Sequence, residues 1–502
     1  MKKKLLAVLL LLLLCSMIIY SFLGDTQNSI FVSNDESSEP YKPTGLSEAS
    51  SADLEIYNQL FNLNNFVSVK VDISDEEIAK IQADYTAYSP VSKSPIYRRA
   101  AKVTITIGQK NYEIEDVGVR MKGNTSRTDF YSEDKGIYNI INLKLSFNET
   151  FDDKDYYGSD AEVWENDEKR KERKDRTFAT LEGLDLKYNA SYDTTHLCEY
   201  YSFALCRDAG VLGAQLNPSV LSVNNKNWGV FTLYEPVDEV FLERNLPKQD
   251  WGGDLYKAAW TNSPATYTDQ ATYGVNDEEG GISYNYDLKT NKKHSKQKSM
   301  ANLIKVLNSR NASKEDFDSV VDTDYWLEFS SAGYFTGAAD DMRNNYNNHF
   351  VYFLKSNGKA IFIPYDYDIS FGAVSKWDPT NTAMTSVSPY SKRADGLDTL
   401  QYNPLYNLSL KYYSDDYTDM LQKVSTSKFM KFETFEEKYK IVSALYKDYL
   451  IPDIDFENVD KSKLKFSLES DYSEDGNMAV SEYMNKILKT YEESAEEYNS
   501  NN

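Results

Sequence analysis

The stretch from Gly337 to Gly372, GAADDMRNNYNNHFVYFLKSNGKAIFIPYDYDISFG, constrains this chain more than any other. Asp340 and Asp341 run into the amides Asn344, Asn345, Asn347 and Asn348. An apolar β-type segment comes next, then a Ser-Asn-Gly-Lys turn and a second apolar segment, Ala360 to Ile363, which ends in Pro364-Tyr-Asp366-Tyr-Asp368. The pattern predicts a hairpin with acids and amides crowded at its mouth. Such residues are poor core material and good ligands for a hard cation. An Asn/Asp-rich turn that merely caps the hairpin is the plainer alternative.

On an extended chain, residues i and i+2 face the same side, roughly 6.5–7 Å apart. Asp366 and Asp368 are therefore expected side by side, with Tyr365 and Tyr367 on the other face. Paired carboxylates repel unless something positive lies between them. Mg²⁺ suits the position, because it takes oxygen ligands and is often held by one or two carboxylates plus substrate phosphates. Asp340 and Asn345 stand in a D-x-x-x-x-N spacing, which in protein kinases sets a catalytic Asp near the attacking hydroxyl and an Asn on the metal.

These residues resemble the catalytic half of the spore coat protein H (CotH) kinase family, and the likeness extends upstream. GVRMKGNTSR at Gly118–Arg127 is similar to that family's glycine-containing loop, and NLKLSF at Asn142–Phe147 to its lysine strand. LEGLDLKYNASYDTTHLCEYYSFALCRDAGV at Leu181–Val211 resembles its Asp-led helix, and NNKNWGVFTLYEPVDEVFL at Asn224–Leu242 the strand pair entering its hinge. DLYKA at Asp254–Ala258 and YDLKTN at Tyr286–Asn291 fit the segments beyond that hinge. The resemblance implies an α+β, bilobal, atypical protein-kinase-like fold, with a β-rich N-lobe over residues 54–235 and a largely helical C-lobe over 236–490. It implies transfer of the γ-phosphoryl group of ATP, with Mg²⁺ or Mn²⁺, to Ser or Thr of surface or spore-coat-type proteins. Asp366, Asp368 and Asn345 or Asn348 would hold the metal. Asp340, or in second place Asp341, would accept the hydroxyl proton. Arg120, Lys122 and Lys144 would hold the nucleotide.

Alternation adds detail to that assignment. In Asn142–Phe147, Leu143, Leu145 and Phe147 share one face, and Asn142, Lys144 and Ser146 the other. Downstream, Asp193 is a candidate N-cap for a helix that is apolar nearly all round and so expected to be buried. Glu199, the one carboxylate between Leu197 and Cys206, needs a partner there, and Lys144 is the expected one. Glu235 closes an apolar strand just before Pro236, a position suited to an interlobe hinge that contacts adenine. Lys257 and Lys289 could be phosphate ligands or plain surface residues.

The net charge of −23 argues against a nucleic-acid partner and favours a basic one, such as a Ser- and Lys-rich surface protein. With only three His (His196, His294 and His349), most histidine mechanisms are excluded. Cys198 and Cys206, eight residues apart on one helix, would lie about 12 Å apart along its axis and cannot form a disulfide with each other.

Lys2-Lys3-Lys4 precedes an apolar run from Leu5 to Leu23, long enough to span a bilayer. The positive flank orients the rest of the chain outside. Residues 1–24 are read as an uncleaved anchor in preference to a cleaved signal peptide, which predicts membrane attachment and an extracytoplasmic location. Residues 25–53 are rich in Ser, Asn, Glu and Pro and read as a disordered tether.

Val67–Val71, Ala101–Ile107 and Tyr112–Met121 alternate as strands, and Asp75 opens a helix. The charged run within Asp152–Arg176 reads as a solvated insertion. Phe432–Leu450 and Ser481–Glu493 carry helical spacing, and residues 491–502 read as a polar tail. The rival functions are a catalytically silent adhesin or scaffold of the same fold, and a carbohydrate-active enzyme built on a carboxylate pair, for which the 40 Tyr would grip glycans.

Overall fold

The alternating amino-terminal segments form strands whose apolar face closes on itself. The computed structural model describes residues 50–501 apart from the internal segments 89–92, 124–125, 133–134, 189–192, 262, 278–280, 374–377, 379, 392–402 and 470–477. The expected anchor and nearly all of the expected tether lie outside the described residues. Among those described, no helix is long and apolar enough to cross a membrane.

Seven strands form a closed barrel. They are β1 (Val67–Asp72), β2 (Arg98–Ile107), β3 (Lys110–Lys122), β6 (Asn142–Ser146), β7 (Gly183–Lys187), β8 (Leu216–Val223) and β9 (Lys226–Tyr234), in the order β1-β2-β3-β6-β7-β9-β8. β4 (Tyr131–Ser132) and β5 (Ile137–Tyr138) make a separate small hairpin. Parallel pairing of β1 with β8 closes the ring, which leaves no open edge for another chain to pair with. Val67, Val69, Val103, Ile105, Leu143, Leu145, Leu184, Leu186 and Leu233 pack together as part of the barrel's apolar core.

β7 differs from expectation. Leu181–Val211 is expected to carry an Asp-led helix capped at Asp193, with no strand assigned ahead of it, but its first part is a strand inserted between β6 and β9. Gly183 permits this close pairing, since a Cβ there would run into the Leu145 carbonyl.

Helices α1 (Ser51–Leu60), α2 (Asp75–Tyr88), α3 (Lys154–Tyr157) and α4 (Asp167–Lys174) lie in the amino-terminal part of the chain. α1 begins with a capping box between Ser50 and Asp53, so helical structure starts just before the expected Leu54. α4 has no buried residue, as a solvated insertion should. It is nevertheless pinned. Arg173 donates to the Glu149 carbonyl at 2.7 Å, and Arg176 to the Glu115 and Asp116 carbonyls at 2.7 and 2.9 Å. β3 leaves extended geometry at Asp116, where φ is 51°, and its carbonyls there need these donors.

A second sheet has the order β11-β12-β10-β13-β14. Its strands are β10 (Leu255–Ala258), β11 (Tyr273–Gly274), β12 (Tyr286–Leu288), β13 (His349–Phe353) and β14 (Ala360–Pro364). β13 and β14 are the expected hairpin, paired from His349↔Pro364 to Phe353↔Ala360. The accompanying helices are α5 (Cys198–Ala209), α6 (Glu239–Asn245), α7 (Lys298–Leu307), α8 (Lys314–Val320), α9 (Thr323–Thr336), α10 (Pro404–Ser425), α11 (Phe432–Tyr446) and α12 (Val480–Asn501).

Their shared core is aromatic. Trp326 of α9 packs edge-on against Phe362 of β14 and Tyr406 of α10, at 5.1 and 4.9 Å between ring centroids. α12 runs on through the stretch read as a polar tail. It continues to Asn501, and Tyr498 stacks on Tyr390 at 4.5 Å. The fold is mixed α+β.

Candidate functional site

Three adjacent barrel strands turn their polar faces the same way. Register places Arg120 opposite Lys144 and Lys144 opposite Asp185, while Lys122 and Lys187 lie two residues along on the same faces. The apolar alternates, Leu143, Leu184 and Leu186, belong to the barrel core. This chain of net charge −23 therefore gathers four cations on one patch.

Lys187 is the centre of that patch. It is 4% exposed, and its Nζ donates to Glu199 Oε1 and Oε2 at 2.8 and 3.1 Å. It also contacts Asp366 Oδ1 and lies 3.8 Å from Asp368 Oδ2. Glu199 sits in the first turn of α5, where the helix dipole favours a carboxylate. That turn is fixed from upstream. Asp193 Oδ2 accepts from the Leu197 and Cys198 backbone N–H at 2.8 and 2.7 Å, and its Oδ1 from Thr195 N–H at 2.8 Å. Asp193 thus caps α5 from outside the formal cap position, which is Leu197.

The expected Lys144–Glu199 pair is absent. Lys144 lies 3.9 Å from Asp185, with 30% of its side chain exposed. Both lysines are on the outward faces of their strands, but only Lys187, at the end of β7, reaches the start of α5. Sequence reasoning misses this partner of Glu199 because it assigns no strand to the residues ahead of Asp193 and takes Lys144 as the available strand lysine. The signal lies in Gly-Leu-Asp-Leu-Lys, where Leu184 and Leu186 alternate with Asp185 and Lys187.

Asp366 and Asp368 do converge on one point, though not as neighbours on a strand. β14 ends at Pro364 and Asp366 has φ 60°, so the pairing is made by a turn and bridged by Lys187. One ammonium faces three carboxylates. Burial opposes the charge on Lys187, but Asp366, Glu199 and Asp368 outweigh it and hold its pKa well above the ordinary value. Burial also raises Asp366, yet Lys187, Lys122 and Lys257 bring it below the ordinary carboxylate range. Asp368 is left with the excess. Burial, reinforced by Asp366, Glu199 and Asp340 against the pull of Lys187, pushes its carboxyl well up.

Asp340 is gripped by the amides that follow it. It accepts from Asn348 Nδ2 at 2.9 Å, from Asn347 Nδ2 at 3.2 Å, and from Asn345 Nδ2. Asn348 Nδ2 also lies 3.5 Å from the Asp366 carbonyl, tying the two acids together. Burial raises Asp340 to about 6, against the amide hydrogen bonds. Asp341 is turned into the protein, 2% exposed. Its Oδ1 accepts from Asn344 N–H at 2.7 Å, its backbone carbonyl takes Asn345 and Asn347 N–H, and burial raises it to about 7. Asp341 therefore shapes the turn, and Asp340 is the acid that faces the Lys187 cluster.

Lys122 donates to Asp185 at 2.6 Å and stands over the rings of Tyr234 and Tyr365, at 5.2 and 5.5 Å from their centroids. Arg120 donates to the Ser94 carbonyl at 3.0 Å. Glu235 is withdrawn from the site. It is 1% exposed and accepts from Tyr57 Oη and Gln215 N–H, both at 2.9 Å, and from Arg244. Its carboxylate braces α1 and α6 against the end of β9.

His349 is buried between Tyr267 Oη and the Asn347 carbonyl, and burial lowers it to about 4. His196 is also buried and lowered to about 4, while His294 is exposed. Cys198 and Cys206 are buried thiols.

The donor set fits a hard divalent cation. Every candidate ligand is a carboxylate or amide, and Asp366, Asp368 and Glu199 carry more negative charge than Lys187 compensates. Among the described residues, no three or more His, Cys, Asp or Glu side chains converge tightly enough to cage an ion by themselves.

No curated protein matches the chain at a significant level. A family model described as CotH kinase protein matches residues 160–455. The matched region contains Lys187, Glu199, Asp340, Asp366 and Asp368, and leaves out Lys144. It covers more than half of the chain, which therefore belongs to the CotH kinase protein family.

Proposed function

We propose that this protein is a two-lobed, metal- and ATP-dependent kinase that phosphorylates Ser or Thr of surface proteins. The observation that carries the reading is the buried Lys187–Glu199 pair set against Asp366 and Asp368. A strand lysine fixed by a helix glutamate is how protein kinases hold ATP phosphates, and family membership already points to kinase-like function. The barrel would be the amino-terminal lobe, and the second sheet with its helices the carboxyl-terminal one.

Mg²⁺ or Mn²⁺, bound by Asp366, Asp368 and Asn345 or Asn348, would supply charge neutralisation for the phosphates. Lys187, steadied by Glu199, holds the phosphate chain, with Lys122, Lys144 and Arg120 on the adjoining strands. Asp340 receives the proton of the acceptor hydroxyl as that oxygen bonds to the γ-phosphorus. The bond to the bridging oxygen breaks, and ADP leaves. With its pKa near 6, Asp340 is mostly ionised at neutral pH and basic enough to take the proton.

A net charge of −23 suits a basic acceptor protein. The apolar run Leu5–Leu23 supports a membrane-anchored, extracytoplasmic protein. The first test is calorimetry of ATP with Mg²⁺ and with chelator. Binding that requires the metal and disappears in Asp366→Asn supports the reading. Absence of binding in both conditions contradicts it and favours a scaffold of the same fold.

A further inference from the structure

Lys257 helps to lower Asp366 electrostatically but is not among the ion-pair partners of the cluster around Lys187, and its surroundings are unusual. It lies on β10, with Cα partners Asp287 on β12 and Phe350 on β13. Its ammonium stands 3.8 Å from the ring centroid of Tyr365 and 5.8 Å from that of Phe350. Among the described residues it forms no salt bridge. The acid beside it, Asp287, is engaged by Lys289.

The other side of Tyr365's neighbourhood is also cationic. Lys122, from the barrel, lies 5.5 Å from the same ring centroid. Lys122 and Lys187 both approach Tyr234, whose ring is 5.7 Å from that of Tyr365. Two touching tyrosines thus carry three lysines from two different sheets. A cation over a ring face gains only part of what burial beside like charges costs it. Burial, with Lys93, Lys122 and Lys289 outweighing Asp366, keeps the pKa of Lys257 well below its ordinary value. An anion seated there would reverse that penalty.

We propose that Lys257 and Lys122, both close to the ring of Tyr365, form a cradle for the phosphate tail of the nucleotide, with Lys257 as a binding residue from the second sheet. The proposal rests on the kinase reading for the nucleotide's identity. The cradle itself requires only an anion with several oxygens, of the pyrophosphate class, able to reach cations on two sheets. Tyr365 is the ring that both ammonium groups approach.

The test uses the full chain, with Lys257→Gln and Lys257→Arg, and calorimetry with inorganic pyrophosphate, ATP and adenosine, each with Mg²⁺. Lys257→Gln should weaken pyrophosphate and ATP tenfold or more and leave adenosine within twofold. Lys257→Arg should recover most of the loss. Melting of the unliganded Lys257→Gln protein at or above the parent temperature would show that folding is intact. Equal pyrophosphate and ATP affinities in parent and Lys257→Gln overturn the proposal and leave the kinase reading standing. If the parent binds pyrophosphate through Lys257 but neither ATP nor adenosine, the cradle stands and the nucleotide reading fails. If the parent binds none of the three, both fail.

Discussion

At the scale of single residues, the decisive group is Lys187. Removing one partner of a buried ion cluster leaves the others uncompensated and typically costs about 3–5 kcal/mol. Lys187→Met strips the ammonium from between Glu199, Asp366 and Asp368, so urea unfolding should show a loss of that order. Lys144→Met removes a partly exposed partner 3.9 Å from Asp185, and should cost about 1 kcal/mol or less. A second expectation concerns pH. Asp341 has a folded-state pKa of about 7 against an ordinary value of 3.8. Between those values the folded state holds the extra proton, so stability falls as pH rises across that window and levels off above it. At about 1.4 kcal/mol per pH unit the effect reaches about 4 kcal/mol at most. Asp341→Asn keeps an acceptor for Asn344 N–H, and should flatten the pH profile of the melting temperature over that range. An unchanged slope would remove Asp341 as its source.

Among elements, the start of α5 and the end of β14 decide whether the site assembles. Asp193 satisfies two orphan N–H groups of α5 and so orients Glu199. Asp193→Ala should cost about 1–2 kcal/mol, read as a lower melting temperature, and should weaken ATP binding through Glu199. A melting temperature equal to the parent's would mean that the cap is dispensable. The hairpin β13–β14, the barrel strands β1 to β3 and β6, and helices α11 and α12 follow from alternation or helical spacing, because burial on one face writes a period into the residues. β7 escapes that reading. It is only five residues long and buried throughout, and its alternation is obscured by the helix beyond it. The convergence of Asp366 and Asp368 is legible as a pair but not as a geometry. A positive φ at Asp366, which Asp adopts more readily than most residues, replaces the extended chain that spacing alone suggests. The partners of Glu235 are hidden for a related reason. Its place before Pro236 marks a strand end, but nothing local announces Arg244 or Tyr57, which fold back from α6 and α1 to claim it.

For the whole molecule, the separation of charge is the governing feature. A strongly acidic chain concentrates Arg120, Lys122, Lys144, Lys187 and Lys257 beside one acidic cluster, where a metal–polyphosphate would satisfy both signs at once. Binding to the folded state alone stabilises it by about 2.7 kcal/mol at a hundredfold excess over Kd. Mg²⁺ with ATP should therefore raise the melting temperature of the parent, ATP with chelator should do so far less, and Asp366→Asn should lose the metal-dependent part. Equal shifts with metal and chelator would mean that the carboxylates do not participate.

The most direct measurement is transfer of label from γ-labelled ATP to a basic, Ser-rich protein, with Mg²⁺ or Mn²⁺, by the parent, Lys187→Met and Lys144→Met. The account predicts transfer by the parent, roughly a hundredfold loss or more in Lys187→Met, as for removal of one preorganised electrostatic donor, and retention of most activity in Lys144→Met. Loss in Lys144→Met with activity kept in Lys187→Met would contradict the assignment of the lysine. No transfer by the parent, with no metal-dependent binding of ATP, would contradict the kinase itself.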